Sequence, residues 1–294
     1  MTFEQNVYWS DAYVVRGGFD TVSKSAAVVA ALKEHPVPGA TITSPWIHED
    51  LLTSLYRIRS RSYVHSVLQG ADGEQGPEAL TSVLDSTAGM LSAAEDVVVG
   101  GAMRAGSLSS GMHHAGRTYG AGFCTFNGVA LAAHRLAKAY DRVLVIDTDA
   151  HAGGGTFDIV RRIPNVGQVD LIASPYDDYD TRSKRFHKCI VSKAKNYLPS
   201  MHDLFADWVS DNGVPDAIVY NAGMDPHQGC GVGGKRGITT AMLAAREHEV
   251  FDFAQDCHAP VVWGLAGGYV GTRLSLRTLA QLHRSTIEAA AVER

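Results

Sequence analysis

The chain has 294 residues, 45% of them hydrophobic and 19% charged, with a formal net charge of −5. That is ordinary for a globular protein, and a chain of this size buries a sizeable core without disulfides. The acidic balance and the lack of any apolar run long enough for a bilayer argue against a nucleic-acid-binding or membrane protein. The four cysteines, Cys124, Cys189, Cys230 and Cys257, form no CxxC pair. A disulfide framework and a cysteine-based zinc site are therefore not expected, and a reducing compartment is the expectation. The N-terminal Met1-Thr2-Phe3-Glu4-Gln5-Asn6 has no basic stretch followed by an apolar core, so the reading is cytoplasmic. No repeat, linker or composition break divides the chain, which reads as one domain over 1–294.

In chain order, Val97-Val98-Val99 is a short strand candidate. Helical spacing follows from Asn127 to Ala139, through Val129, Leu131, Ala132 and Leu136. Val143-Leu144-Val145-Ile146 is a β-branched apolar run and reads as a buried strand. Asp170-Leu171-Ile172-Ala173-Ser174 is a weaker strand candidate, and Tyr197 to Val209 a helix carrying Leu198, Met201, Leu204, Phe205 and Trp208. Ala217–Tyr220 and Val261–Leu265 are strands, Thr240 to Gln255 a helix between them, and Gly271 to Ala291 a last helical stretch. Strands alternating with helices predict an α/β fold with a mostly parallel sheet covered on both faces. Ligands of such sheets bind beyond the carboxyl ends of the strands, so polar residues there carry the most weight.

Several stand there. Asp147, Asp149 and His151 follow the run at 143–146, and side chains two apart on an extended segment point the same way. Asn221-Ala222-Gly223-Met224-Asp225-Pro226-His227 and Ala266-Gly267-Gly268-Tyr269 follow two other strands. Gly111-Met112-His113-His114-Ala115 precedes Gly122-Phe123-Cys124. Two Asp and one His would make a three-ligand set with the fourth position left for water or substrate, as in catalytic zinc sites. Each element also has a structural explanation: an Asp capping a helix, a packed histidine, a glycine turn. The weight lies in all of them falling at strand ends or loops of one chain.

Taken together, and with Leu55-Tyr56-Arg57-Ile58-Arg59-Ser60-Arg61-Ser62-Tyr63-Val64 near the start, these motifs resemble the histone deacetylase superfamily, including acetylpolyamine amidohydrolases. The resemblance implies the three-layer α/β/α sandwich of the arginase/deacetylase fold. It implies that Asp149, His151 and Asp225 bind one divalent metal, Zn²⁺ first and Fe²⁺ second. His113 and His114 would face the water that the metal activates, with Asp147 bonded to His113. Tyr269 would donate its hydroxyl to the developing oxyanion. Gly122 and Phe123 would line an acyl-amine channel, with Gly267 and Gly268 also at the substrate. A monovalent cation such as K⁺ near Ser174 belongs to the same pattern. The implied reaction is removal of an acetyl or other acyl group from acyl-lysine, acetylpolyamine or a small N-acyl metabolite. The partners are thus a small-molecule or peptide N-acyl amine, no nucleic acid and no membrane, with a homo-oligomer compatible.

The chain departs from the pattern at four places. Many relatives have a second histidine where Ala152 stands, and Asp or Asn where Gly154 stands. His114 is therefore expected to have lost its usual carboxylate, leaving it less basic or dependent on an acceptor from elsewhere. Arg59 stands where His is usual, and Ala266 replaces a glycine. Two other readings stay open. A non-catalytic member would use the pocket only to bind an acylated ligand. An arginase-like ureohydrolase would need two metals, but Gly153 and Gly223 stand where its further carboxylates are expected. Arg182-Ser183-Lys184-Arg185 reads as a solvated loop, Phe186 as a candidate channel wall and His227 as a neighbour of Asp225.

Overall fold

Eight short segments join into one sheet, and those at its centre bury nearly every residue. In the computed structural model, which describes residues 2–15, 23–46, 50–70, 77–110 and 112–293, the strands are β1 Gln5–Tyr8, β2 Ala40–Thr43, β3 Arg104–Ser110, β4 Val143–Asp147, β5 Val166–Ile172, β6 Phe186–Ile190, β7 Ala217–Ala222 and β8 Val261–Leu265. Met1 and Gly111 lie outside the described residues. The order is β2-β1-β3-β8-β7-β4-β5-β6, and every neighbouring pair is parallel.

Alternation along the strands sends side chains to two cores. Leu144, Ile146, Ile218, Tyr220, Val261 and Trp263 pack on α1 Ser25–Glu34, α7 Tyr197–Asn212, α8 Thr240–Asp256 and α9 Leu276–Ala291. Val143, Val145, Ala217, Val219 and Val262 face α2 Leu51–Ile58, α3 Arg61–Leu68, α4 Pro77–Val98, α5 Gly128–Leu136 and α6 Gly154–Val160. The result is the expected three-layer α/β/α sandwich. Parallel strands covered on both faces read as continuous apolar runs, which is why β4, β7 and β8 were legible.

Other elements differ from the sequence reading. Val97 and Val98 end α4 instead of forming a strand, with Ala93, Ala94 and Val97 buried at helical spacing. The strand placed at 170–174 begins four residues earlier, at Val166. The expected helices shorten or lengthen at their caps: Asn127 accepts from Ala130 N–H, and Ser275 from Thr278 N–H, so each is an N-cap rather than a first turn. β1, β2, β3 and β6 were not expected. β3 reads Arg-Ala-Gly-Ser-Leu-Ser-Ser, with almost no apolar signal, yet six of its seven residues are buried because it lies between β1 and β8. Phe186 packs edge-on against Phe157 inside the core, so it is not a channel wall. Arg185, expected in solvent, donates to the carbonyls of Arg161, Ile163 and Val166 and ties the α6–β5 turn to β6.

Candidate metal centre and its histidines

Four neighbouring strands, β3, β8, β7 and β4, end side by side and deliver the candidate residues. Asp147 closes β4, paired in register with Asn221 of β7 and Asp170 of β5. One oxygen of Asp147, Oδ1, accepts from Asp149 N–H at 3.1 Å and from Asn221 Nδ2 at 3.0 Å. This side-chain-to-backbone bond turns the chain out of the sheet. Asp149 and His151 then lie in bends past the strand end. They do share one pocket, but the turn places them there and not strand alternation. Asp149 repeats the device, its Oδ1 accepting from His151 N–H at 3.0 Å.

The three expected ligands converge. His151 Nδ1 lies 3.0 Å from Asp149 Oδ1 and 3.2 Å from Asp225 Oδ2. One donor atom from each residue falls within 4.8 Å of the others. Asp225 is fully buried; its Oδ1 accepts from Ala150 N–H at 2.9 Å, while Oδ2 makes no hydrogen bond of acceptable geometry. A buried carboxylate oxygen without a donor is costly unless a cation meets it. Burial, and then the neighbouring Asp149, push the Asp225 carboxyl up to about 7. Burial would raise Asp149 as well, but His113 and His151 outweigh it and hold that carboxyl well below its usual range. Two carboxylates and an imidazole nitrogen this close are an oxygen-and-nitrogen donor set suited to a divalent metal. Gly267 seals the cluster: its N–H donates to Asp149 Oδ2 at 2.6 Å, and a Cβ there would sit 2.4 Å from carboxylate atoms of both aspartates.

The tandem histidines stand beside this cluster, ring centroids 3.9 Å apart. His113 Nδ1 bonds Asp147 Oδ2 at 2.8 Å, as expected, and its Nε2 lies 3.6 Å from Asp149 Oδ1. Burial lowers the basicity of His113, but Asp147, Asp149 and Asp225 more than reverse this and raise it to about 10. His114 differs. Burial first, and the positive His113 second, lower its pKa, so the cause is not the missing carboxylate that the sequence suggested. Nor does it lack a carboxylate: His114 Nδ1 lies 2.8 Å from Asp177 Oδ2. Asp177 belongs to the loop after β5, which the sequence reading did not single out. No spacing rule reaches across 63 residues. The available signal was the Asp177-Asp178 pair beyond a strand end.

Gly122, at φ +54°, brings its backbone so close to His114 that a Cβ would lie 2.3 Å from the ring carbon Cδ2. Phe123 is half exposed at φ +64°. Tyr176 is also half exposed and meets His114 and His151 edge-on, at centroid distances of 4.9 and 5.7 Å. Tyr176 is a second residue the sequence reading missed. Tyr269 is half-buried two residues beyond Gly267, its backbone N–H donating to Cys230 Sγ at 3.1 Å. Gly268 backs onto His283 and Leu279 of α9. Next to Ser174, the Ala173 carbonyl accepts from Lys235 Nζ at 3.1 Å. His227 does not touch the ligands; its Nε2 faces Thr240 Oγ1 at 3.2 Å. Arg59 is buried under Tyr119, whose carbonyl accepts its Nη2–H at 2.7 Å, with the Tyr63 ring 4.3 Å from the guanidinium.

Fold and pocket together define a class: a parallel α/β sandwich with a buried Asp-His-Asp cluster and paired histidines at its carboxyl edge. Within that class, the histone deacetylase domain profile matches residues 51–285, and the chain belongs to that family. It is similar to histone deacetylase 2 of Arabidopsis thaliana, 30% identical over 181 residues covering 59% of this chain and 46% of that protein. A shorter stretch of 69 residues is 46% identical to the acetoin utilization protein AcuC of Staphylococcus aureus, covering 23% of this chain and 18% of the relative. The matches thus span about half the length of the Arabidopsis relative and less of the staphylococcal one. The acetylpolyamine aminohydrolase of Burkholderia pseudomallei has the same fold, with a TM-score of 0.80 at 18% identity over 98% of both chains. So does the HDA15 HD domain, with a TM-score of 0.82 at 19% identity over 98% of this chain and 90% of that one.

Proposed function

We propose that the chain is a metal-dependent amidohydrolase that removes an acetyl or other acyl group from an amine. The observation that carries this reading is the convergence of Asp149, His151 and Asp225 next to two histidines that each hold a carboxylate on Nδ1. A divalent metal in that cluster, Zn²⁺ or Fe²⁺, supplies a Lewis acid for the amide carbonyl and lowers the pKa of water towards about 7.

The chain's own groups do the rest. With Nδ1 occupied by Asp177, His114 keeps Nε2 for the proton of the attacking water, and returns a proton to the leaving amine nitrogen. His113, set among Asp147, Asp149 and Asp225, supports the developing charge as a cation. The Tyr269 hydroxyl donates to the oxyanion as the carbonyl carbon becomes tetrahedral. Phe123 and Tyr176 hold the acyl-bearing chain between two aromatic faces, which suits an alkyl amine such as acyl-lysine, acetylpolyamine or a small N-acyl metabolite.

The space around the two key glycines favours one metal. A Cβ at Gly153 would lie 2.7 Å from Asp147 Oδ2, and one at Gly223 would lie 2.4 Å from Asp149 Cα. Carboxylates at those positions, which a two-metal ureohydrolase needs, have no room. The non-catalytic reading drew on an unpartnered His114, and Asp177 removes that support. The test is turnover of fluorogenic acetyl-lysine, acetylpolyamines and small N-acyl amines by metal-loaded protein, with and without a chelator. Chelator-sensitive amine release is expected. No turnover on any of the three classes would sink the reading, and urea release with two manganese ions per chain would replace it.

A further inference from the structure

Gly154 opens α6 and has no side chain, at the position where the resemblance to the histone deacetylases implies Asp or Asn. A Cβ built there would lie 2.5 Å from Asp177 Oδ1, 2.7 Å from its Cγ and 2.2 Å from its backbone oxygen. Any residue larger than glycine at 154 would therefore push the 174–178 loop away from His114. Three contacts hold the loop in. Asp177 Oδ2 lies 2.8 Å from His114 Nδ1 and accepts from Gly155 N–H at 3.1 Å, at the start of α6. The Tyr176 carbonyl accepts from Ala152 N–H at 3.0 Å. Asp177 itself sits at φ +55°, a left-handed conformation that Asp tolerates better than most residues.

We propose that Asp177 is the positioning residue of His114, and that Gly154 and Asp177 form a matched exchange in which the orienting carboxylate has moved from the helix start to the loop after β5. This rests on the amidohydrolase reading above and names the group that completes it. The carboxylate fixes which ring nitrogen carries the proton, leaving Nε2 towards the substrate, and steadies the ring when it becomes positive. The exchange also has a geometric consequence. The same dipeptide that orients His114 supplies the Tyr176 wall, so the seat of the acyl chain and the orientation of the base are carried by one loop.

Three variants test it. Asp177→Asn keeps the size and the left-handed backbone but loses the charge. Asp177→Gly leaves a carboxylate-sized gap that is partly open to solvent, since the Asp177 side chain is 20% exposed. Gly154→Ala leaves Asp177 intact but drives a Cβ into it. Substitutions of groups that orient a site histidine typically cost about 10–100-fold in activity. Asp177→Asn is expected to lose that much kcat with KM little changed, and Gly154→Ala to lose as much kcat and also to raise KM, because the Tyr176 wall moves with the loop. Asp177→Gly is expected to lose as much and to regain part of it in formate, which wild-type protein does not. In parallel, the low-field Nδ1–H proton resonance of His114, read in the absence of substrate, should vanish in Asp177→Gly and shift in Gly154→Ala. An unchanged resonance in Asp177→Gly, or wild-type kcat in Asp177→Asn, overturns the proposal. So does a kcat loss in Asp177→Gly that formate leaves untouched and a fall in Tm accompanies, since that marks a merely structural residue. Wild-type protein inactive on every N-acyl amine, with the resonance present and lost in Asp177→Gly, sinks the functional reading while the His114–Asp177 contact stands.

Discussion

The two histidines at the centre of the site are neighbours in sequence and are held in opposite ways. His113 takes its carboxylate from Asp147, the last residue of a fully buried central strand, fixed in register on both sides. His114 takes its carboxylate from Asp177, on a surface loop whose approach depends on the missing side chain of Gly154. Asp147 also accepts from Asp149 N–H and Asn221, so it builds the turn that carries Asp149 and His151, two of the proposed ligands. Asp177 builds nothing else in the metal cluster. One carboxylate is therefore part of the sheet's own architecture, and the other reaches the histidine from a loop.

The largest effect should come from removing what both histidines serve. Asp225→Ala takes away a proposed ligand and should reduce amide hydrolysis to background. Wild-type protein should gain thermal stability when a divalent metal is added, about 2.7 kcal/mol at a hundredfold excess over Kd, and calorimetry of Asp225→Ala should show that gain lost. If Zn²⁺ raises the Tm of both proteins equally, the cluster is not the metal site.

Next comes Tyr269, the proposed oxyanion donor. Tyr269→Phe is expected to cost about 10²–10³-fold in kcat, the usual consequence of losing one such group, with the metal-dependent rise in Tm retained. A variant within twofold of wild type would remove Tyr269 from the reaction.

The comparison itself is sharpened by Asp147→Asn beside Asp177→Asn. Both should lose activity by about 10–100-fold. Only Asp147→Asn should also lower the Tm, because the neutral amide weakens a charge-assisted bond in a buried network. Equal falls in Tm would show that the two carboxylates are alike in role.

A histidine outside the site gives the smallest effect and the cleanest sign. His134 on α5 is part-buried near Lys138, Arg57 and Arg135; burial first and those cations second lower its pKa to about 4. A folded pKa below the unfolded value means the fold prefers the neutral ring. That contribution to stability is present above 6.5 and is lost as pH falls from 6.5 towards 4. Tm measured across that interval should fall less steeply in His134→Gln than in wild type. An identical slope would show that the ring titrates freely.

The legibility of the site follows the same division. Asp147 ends a strongly apolar strand and Asp149, His151, Asp225 and Gly267 follow such strands, so the strand signal by itself directs attention to them. Among the described residues, β1, β3 and β6 gave no such signal. Arg104–Ser110 is polar on paper and buried only because the sheet closes around it. Tyr176 and Asp177 follow β5, whose own sequence mixes Gln168 and Asp170 among apolar residues. Gln168 and Asp170 bond each other at 2.8 Å inside the fold, which makes a polar pair tolerable there.

What the residues determined alone was the alternation of strands and helices, the covered parallel sheet and the polar residues at its strand ends; the resemblance to the histone deacetylases implied the ligand set Asp149, His151 and Asp225 and the His113–Asp147 pair. Local periodicity encodes the strands, helices and strand ends, since each depends on residues close in sequence. Only the tertiary structure decided which acid serves His114. Hydrogen bonding requires atoms within about 3 Å, and which loop reaches that distance depends on where the β5–β6 connection folds back and on the space left open at Gly154. A lost acid in the sequence was thus a true observation about position 154, and the fold supplied the carboxylate from another direction.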